Sequence, residues 1–284
     1  MSKIWFVTGS SRGFGREFVQ AALERGDKVA ATARNTDSLA DLVAAHGEAV
    51  LPLKLDVTDK AAAFEAVKQA HEHFGRLDVI VNNAGHGLFG AVEELTEQQV
   101  RGQMETNFYG ALWVTQAALP LLRAQGSGRI VQISTVGGVV SFPNLGGYNA
   151  SKWALEGLTE ALAQEVAGFG IKVTLVEPGG FETDWAGSSA TFAEQLPAYA
   201  DLRAAVAAAW GEVKSGDPAA TGPALLEIVD ADNPPLRVFF GTAPLHLVPQ
   251  VYAERLKTWE EWAAVSAETG SPTNGTPPRC SPTC

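Results

Sequence analysis

The sequence predicts an α/β fold, a doubly wound parallel sheet in a single domain. Three observations predict it. Short β-branched runs alternate with longer stretches of helical periodicity from residue 4 to residue 178, and glycines fall where those helices should stop. The 284 residues, 46% hydrophobic and 19% charged, suit one large core and are too few for two ordinary domains with a linker. Parallel strands joined by crossover helices on both faces follow from that alternation.

The first unit reads strand 4–8, helix 13–25, strand 28–33, helix 38–45 and strand 50–55. Gly26, Gly47 and Gly75 each follow a helical stretch, where a left-handed cap would sit. The second unit reads helix 58–74, strand 77–82, helix 97–123, strand 129–134, helix 148–167 and strand 172–176. Thr58 and Thr96 stand at helix starts, and Gln99 completes a capping box with Thr96. After Pro178 the alternation stops. Residues 180–216 form an insertion carrying Phe181, Trp185, Phe192, Tyr199 and Trp210, long enough to act as a substrate lid. A last strand at 236–240 and a helical segment at about 248–267 bring the domain, 1–269, to its end; the Gly/Pro/Ser/Thr-rich residues 270–284 read as a disordered tail.

The net charge of −11 comes with no basic run, which argues against nucleic acid and anionic membrane surfaces as partners. Residues 130–151 carry no formal charge, yet Gln132, Ser134, Asn144 and Asn149 mark them as buried strand and loop instead of a membrane span. The apolar start reaches Gly9 too soon for a signal peptide, so the cytoplasm is the expected location. Cys280 and Cys284 both lie in the tail, where they cannot staple a core, and two thiols without nearby histidine fall short of a metal site. The sequons at 149–151 and 274–276 match by composition alone.

A doubly wound sheet binds ligands outside the carboxyl ends of its strands. The first such turn is Thr8-Gly9-Ser10-Ser11-Arg12-Gly13-Phe14-Gly15, neither a Gly-x-Gly-x-x-Gly spacing nor a Walker loop. Its glycines let backbone approach a pyrophosphate, while free N–H groups at the helix start stabilise the anion. Gly9, Ser11, Arg12, Gly13, Phe14 and Gly15 are therefore candidate cofactor contacts. The second strand ends in Ala33-Arg34, where an NAD-binding fold usually carries an acid. Arg34 with Arg12 could give an adenosine 2′-phosphate charge-assisted hydrogen bonds of about 1.5 to 3 kcal/mol each. NADP(H) is expected over NAD(H).

Tyr148 and Lys152 are four residues apart and share a helix face. A cation about 5 Å from a phenol, at an effective dielectric of roughly 20, favours phenolate by about 3 kcal/mol, some two pKa units. Such a phenol can act as an acid near neutral pH.

Thr8 to Gly15, Asn82-Asn83-Ala84-Gly85, Asn107, the stretch Tyr148 to Lys152 and Pro178-Gly179 occur in order on the expected elements. Together they resemble the short-chain dehydrogenase/reductase family, with a Rossmann-type sheet, from residue 4 to about 183. The resemblance implies that Tyr148 exchanges a proton with the substrate oxygen, that Lys152 lowers its pKa and binds the nicotinamide ribose, and that Asn107 holds a water linking Lys152 to solvent. It implies that Asp56 and Val57 flank the adenine, that Asn83, Ala84 and Gly85 line the cofactor, and that Pro178, Gly179, Phe181 and Thr183 pack at the nicotinamide end. The insertion and Arg34-Asn35 look like the hydroxysteroid dehydrogenase-like branch.

One position departs from the pattern. The family usually has a serine thirteen residues before the tyrosine; here that place is Thr135, with Ser134 just upstream. Thr135 is expected to hydrogen-bond the substrate carbonyl, with Ser134 as the alternative. His86 is assigned no chemistry. Leu88, Phe89, Val136, Phe142, Leu145, Phe181 and Trp185, with Phe192 or Trp210, would give an apolar pocket for a bulky carbonyl compound or alcohol. The expected activity is reduction of a ketone or aldehyde, or the reverse. A non-catalytic NADP(H) sensor and an isomerase or lyase are the alternatives, and a homodimer or monomer is expected over a tetramer.

Overall fold

The structure, a computed structural model, describes residues 2–211 and 214–270. The expected tail beyond Gly270, with Cys280, Cys284 and the 274–276 sequon, lies outside the described residues. Among the described residues the strands are β1 (Ile4–Val7), β2 (Lys28–Ala33), β3 (Val50–Lys54), β4 (Val79–Asn82), β5 (Leu88–Phe89), β6 (Gly128–Ile133), β7 (Ile171–Pro178), β8 (Thr191–Phe192) and β9 (Arg237–Phe240). The helices are α1 (Gly13–Glu24), α2 (Ala40–His46), α3 (Lys60–Phe74), α4 (Glu97–Met104), α5 (Ala111–Gln125), α6 (Gly146–Val166), α7 (Ala200–Gly211), α8 (Thr221–Asp230), α9 (Ala243–Glu261) and α10 (Ala263–Thr269).

Seven strands form one parallel sheet in the order β3-β2-β1-β4-β6-β7-β9. The order reverses between β1 and β4, which opens a crevice at their carboxyl ends. Buried on both faces, β1 shows how the sheet divides the core. Ile4 and Phe6 point to the layer of α3, α5 and α6, among Val67, Val114 and Leu162; Trp5 and Val7 point to the layer of α1, α2 and α8, among Phe18, Leu42 and Leu225. The expected doubly wound α/β sheet is therefore the fold.

Local signals set most boundaries. Gly75 is the expected left-handed cap, with φ +80° and ψ −11°, whereas Gly47 also ends its helix at positive φ but with ψ −128°, outside the left-handed helical region, and Gly26 follows an Arg25 cap; Thr96 and Gln99 form the expected capping box. Thr58 is not a cap. Its hydroxyl donates to Asp56 Oδ1 at 2.8 Å, and α3 begins two residues later with Asp59 accepting from the Ala62 N–H. The expected helix 97–123 is interrupted by a π-helical segment, Glu105–Gly110, and α6 starts at Gly146. The sequence reading missed α8, whose Pro223 falls in the first turn, where no N–H is needed.

The 180–216 insertion has pinned ends: the Gly216 N–H donates to Gly180 O at 2.9 Å and the Glu182 N–H to Gly216 O at 3.0 Å. Within it, β8 pairs with β5 as a small parallel sheet, also missed from sequence. Glu94 fastens the far side, accepting from the Leu196 N–H at 2.8 Å and from Arg203 at 2.6 Å. Among the described residues no helix is long and apolar enough to cross a membrane.

Candidate active site

The turn after β1 and the turn after β4 are joined. Thr8 Oγ1 accepts from the Asn83 and Ala84 N–H groups at 2.9 and 3.0 Å, and Asn83 Nδ2 donates to Thr8 O and Gly9 O at 2.9 and 3.1 Å. Gly9 and Gly13 take φ of +67° and +56°. A Cβ on Gly15 would stand 2.3 Å from Gly9 O, so only glycine lets α1 approach this closely. No side chain caps the start of α1, which leaves its first N–H groups to face the crevice.

Residues from β4, the π-helical segment, β6 and α6 meet beyond that turn. Asn107 clamps the backbone of His86: its Oδ1 accepts from His86 N and its Nδ2 donates to His86 O, both at 3.1 Å, with a further bond to Ser151 Oγ at 3.1 Å. One Oδ1 lone pair remains. It and Lys152 Nζ border the same space, 3.1 and 3.5 Å from where a Cβ on Gly85 would be. Lys152 Nζ donates to Ile133 O at 2.8 Å. The strand ends at Ile133, so Ser134 and Thr135 separate: Ser134 turns toward Gly138 and Glu156, whereas Thr135 lies beside the Tyr148 phenol.

The electrostatics correct one expectation. Burial pushes the Tyr148 phenol above its ordinary range, with Thr135 acting weakly the other way, and it pulls Lys152 down to about 8. The buried phenol is thus less acidic than the spacing predicts, and the Lys152 ammonium donates to the backbone at Ile133 O. His86 is held below its usual range by burial, then by Lys152 and Arg34.

A cavity of about 930 Å³ joins these groups. From the turns after β1 to β4 it is lined by Gly9, Ser11, Arg12, Gly13, Phe14, Arg34, Asp56, Val57, Asn83, Ala84 and Gly85. From β6 onward come Thr135, Tyr148, Lys152, Pro178, Gly179, Phe181 and Thr183, with Val136, Phe142, Leu145, Trp185 and Trp210 as apolar wall; Phe181 meets Phe14 edge-on at 5.0 Å. Gly15 and Asn107 support the lining from behind. Leu88, Phe89 and Phe192 are also outside it: Phe89 stacks on Phe192 at 5.0 Å and backs Trp185 at 5.2 Å, and Trp185 packs on Tyr148 at 4.9 Å. Sequence reading missed Ala243, Pro244 and Leu247 of α9, whose contribution depends on a packing no local pattern signals.

The two arginines differ. Arg34 is exposed at the mouth. Arg12 is engaged by the insertion, 2.8 Å from Asp184 and donating to Ser188 Oγ at 2.9 Å.

A family model described as short chain dehydrogenase matches residues 3–193. An oxidoreductase of Botryotinia fuckeliana, BOA17, is 42% identical over 278 residues, covering 94% of this chain and 100% of the relative. A 3-ketodihydrosphingosine reductase of Bacteroides thetaiotaomicron is 39% identical over 261 residues, covering 90% and 93%. Among solved structures, a short-chain dehydrogenase from Streptomyces avermitilis superposes with a TM-score of 0.89 at 40% identity, covering 95% of this chain and 98% of that one.

Proposed function

The chain belongs to the short-chain dehydrogenase family and is an oxidoreductase of that family, and from this premise we propose that it reduces a bulky apolar ketone or aldehyde with NADPH, or runs the reverse. The observation that carries the reading is one cavity that joins a glycine-built anion cradle to a phenol, a hydroxyl and an ammonium. A nicotinamide dinucleotide fits the residues present: positive-φ glycines, uncapped α1 N–H groups and an exposed Arg34. When bound it supplies the hydride that the carbonyl carbon takes, or accepts it in the reverse direction.

The chain's own residues handle the oxygen. Tyr148 gives its phenolic proton to the oxygen as the C–O bond loses double-bond character, and Thr135 hydrogen-bonds and polarises that oxygen first. Lys152 is the residue to hold the ribose and to favour the phenolate; because burial alone raises the phenol, the pair becomes an effective acid only with cofactor in place. Asn107 sets the His86 backbone and, through its free lone pair, can position a water beside Lys152. Trp185 covers Tyr148 from the insertion, which acts as a lid that excludes water.

Arg34 supports NADPH over NADH; Arg12, tied to Asp184, contributes less than the sequence suggested. The apolar wall supports a bulky substrate, and the Bacteroides relative is by name a reductase of a keto compound. A monomer or dimer fits the way α9 lays Arg255 over Trp153 of α6, 5.2 Å from its ring, covering part of that helix; light scattering tests it. The deciding experiment for the reaction is Tyr148→Phe. It should abolish carbonyl-dependent NADPH oxidation while NADPH still binds, and undiminished turnover would refute the assignment.

A further inference from the structure

Behind the active-site helix lies an ionisable cluster that the reaction above does not use. Glu156 follows Lys152 by one turn of α6 and is 3% exposed; Glu177, on β7 just before Pro178, is fully buried. Both approach the same nitrogen, Nε of Arg237 on β9, at 3.1 and 3.4 Å. The other arm of Arg237 donates outward to Glu160 at 2.8 Å. Glu156 Oε1 and both Glu177 oxygens are buried without a hydrogen-bond partner.

Two ionised carboxylates cannot share one guanidinium cheaply in such a place, and an ionised carboxylate with no hydrogen bond is the costlier of the pair. Burial, then the charge of Glu156, pushes Glu177 up to about 8. Burial raises Glu156 as well, and Arg237 and Lys152 oppose that rise without cancelling it. Glu177 is thus the member that keeps a proton near neutrality, whereas Glu156 accepts a charge-assisted hydrogen bond from Arg237 Nε at 3.1 Å, which favours its ionised form. Lys152 registers this: burial lowers it and Glu156 opposes the fall.

We propose that Glu156 is a positioning residue, the counter-charge that keeps Lys152 an ammonium, while the proton on Glu177 leaves Arg237 free to hold Glu156. The proposal rests on the reading of Lys152 as the ribose-binding ammonium. The groups that face Lys152 are Tyr148 and Glu156 on its own helix, His86 from the turn after β4, and, behind Glu156, Arg237, Glu177 and Glu160. His86 is held toward its neutral form and Tyr148 is protonated, so neither supplies the negative charge.

The test titrates Lys152 by NMR in lysine-labelled protein without cofactor, its signal identified by its loss in Lys152→Met. Wild type should titrate near 8. Glu156→Gln should lower the midpoint by about one unit, a roughly tenfold smaller ratio of ammonium to free amine. Glu177→Gln has the shape of the neutral acid and should leave the midpoint in place. An unchanged midpoint in Glu156→Gln, or an equal drop in both variants, overturns the proposal. Should Glu156→Gln not fold, Glu156→Asp, which draws the charge away from Lys152, must lower the midpoint by a smaller amount; no drop overturns it. NADPH binding followed by fluorescence on the same samples separates the two readings. A shifted Lys152 in a chain that binds no NADPH upholds the counter-charge and removes the dinucleotide.

Discussion

Gly15→Ala sets local propensity against tertiary packing with opposite signs. Inside a helix, glycine costs about 1 kcal/mol relative to alanine, so propensity alone makes the change stabilising. The packing makes it destabilising. A Cβ there would meet Gly9 O at 2.3 Å and Asn83 Nδ2 at 2.4 Å. The carbonyl is backbone and cannot swing aside, and the Asn83 amide can move only by leaving Thr8 O and Gly9 O. Overpacking costs about 1–3 kcal/mol and the two lost hydrogen bonds roughly 0.5–1.5 kcal/mol each, so after crediting propensity the net is a loss of roughly 1–5 kcal/mol. Gly157→Ala is the control: it lies exposed in α6, and a Cβ there meets nothing within 4 Å. Urea unfolding of both variants should show Gly157→Ala at or above wild type and Gly15→Ala clearly below it, with similar slopes. A Gly15→Ala protein as stable as wild type would refute the argument that this glycine joins the two turns.

Three further outcomes follow from the same geometry. Arg34→Asp should lower the ratio of NADPH to NADH efficiency, read as kcat/KM, by at least about tenfold; an unchanged ratio removes Arg34 from phosphate recognition. Arg12→Ala should move that ratio by less than about threefold, because Asp184 and Ser188 hold its guanidinium, but should speed chymotryptic cleavage within the insertion; a fall equal to that of Arg34→Asp would show that Arg12 leaves Asp184 for the phosphate. Glu177 titrates near 8 when folded against an ordinary value of 4.5, so the native chain holds an extra proton between those limits. The stability this contributes is fully present below 4.5 and declines as pH rises toward 8. Glu177→Gln lacks the decline, and its advantage over wild type should widen by about 1–3 kcal/mol between pH 5 and pH 8, allowing for solvent screening; a constant gap would show an ionised Glu177.

What the sequence disclosed was whatever depends on neighbours in the chain. The four residues of β1 are apolar because both faces are covered, and Gly75 or Thr96 marks a helix end by its own backbone chemistry. The turn from Thr8 to Gly15 and the pair Tyr148 and Lys152 could be placed because a parallel sheet delivers strand ends to one edge. What stayed hidden depends on partners far along the chain. Glu94 and Arg203 are 109 residues apart, and Arg12 and Ser188 are 176 apart. The two-residue strands β5 and β8 exist only because the insertion folds back. The spacing of Tyr148 and Lys152 argued for a more acidic phenol, but spacing carries no information about solvent, and here burial is the largest influence and raises it. The preference for Thr135 over Ser134 turned on where a strand stops, which a β-branched run does not specify to one residue.

The π-helical segment at Glu105–Gly110 gives chain length a meaning there that composition does not. An α-helix advances each residue by about 100° around its axis, and the wider turn takes up one residue more than that count allows. Deleting any one residue from the segment would close it into regular helix and rotate one flank against the other by about that angle. Asn107 could then no longer reach both His86 and Ser151 while Val114 and Leu122 kept their places in the core. Substitutions on the outer face of this stretch should be absorbed far more readily than a single-residue deletion, so the spacing between α4 and α5 is itself part of the site.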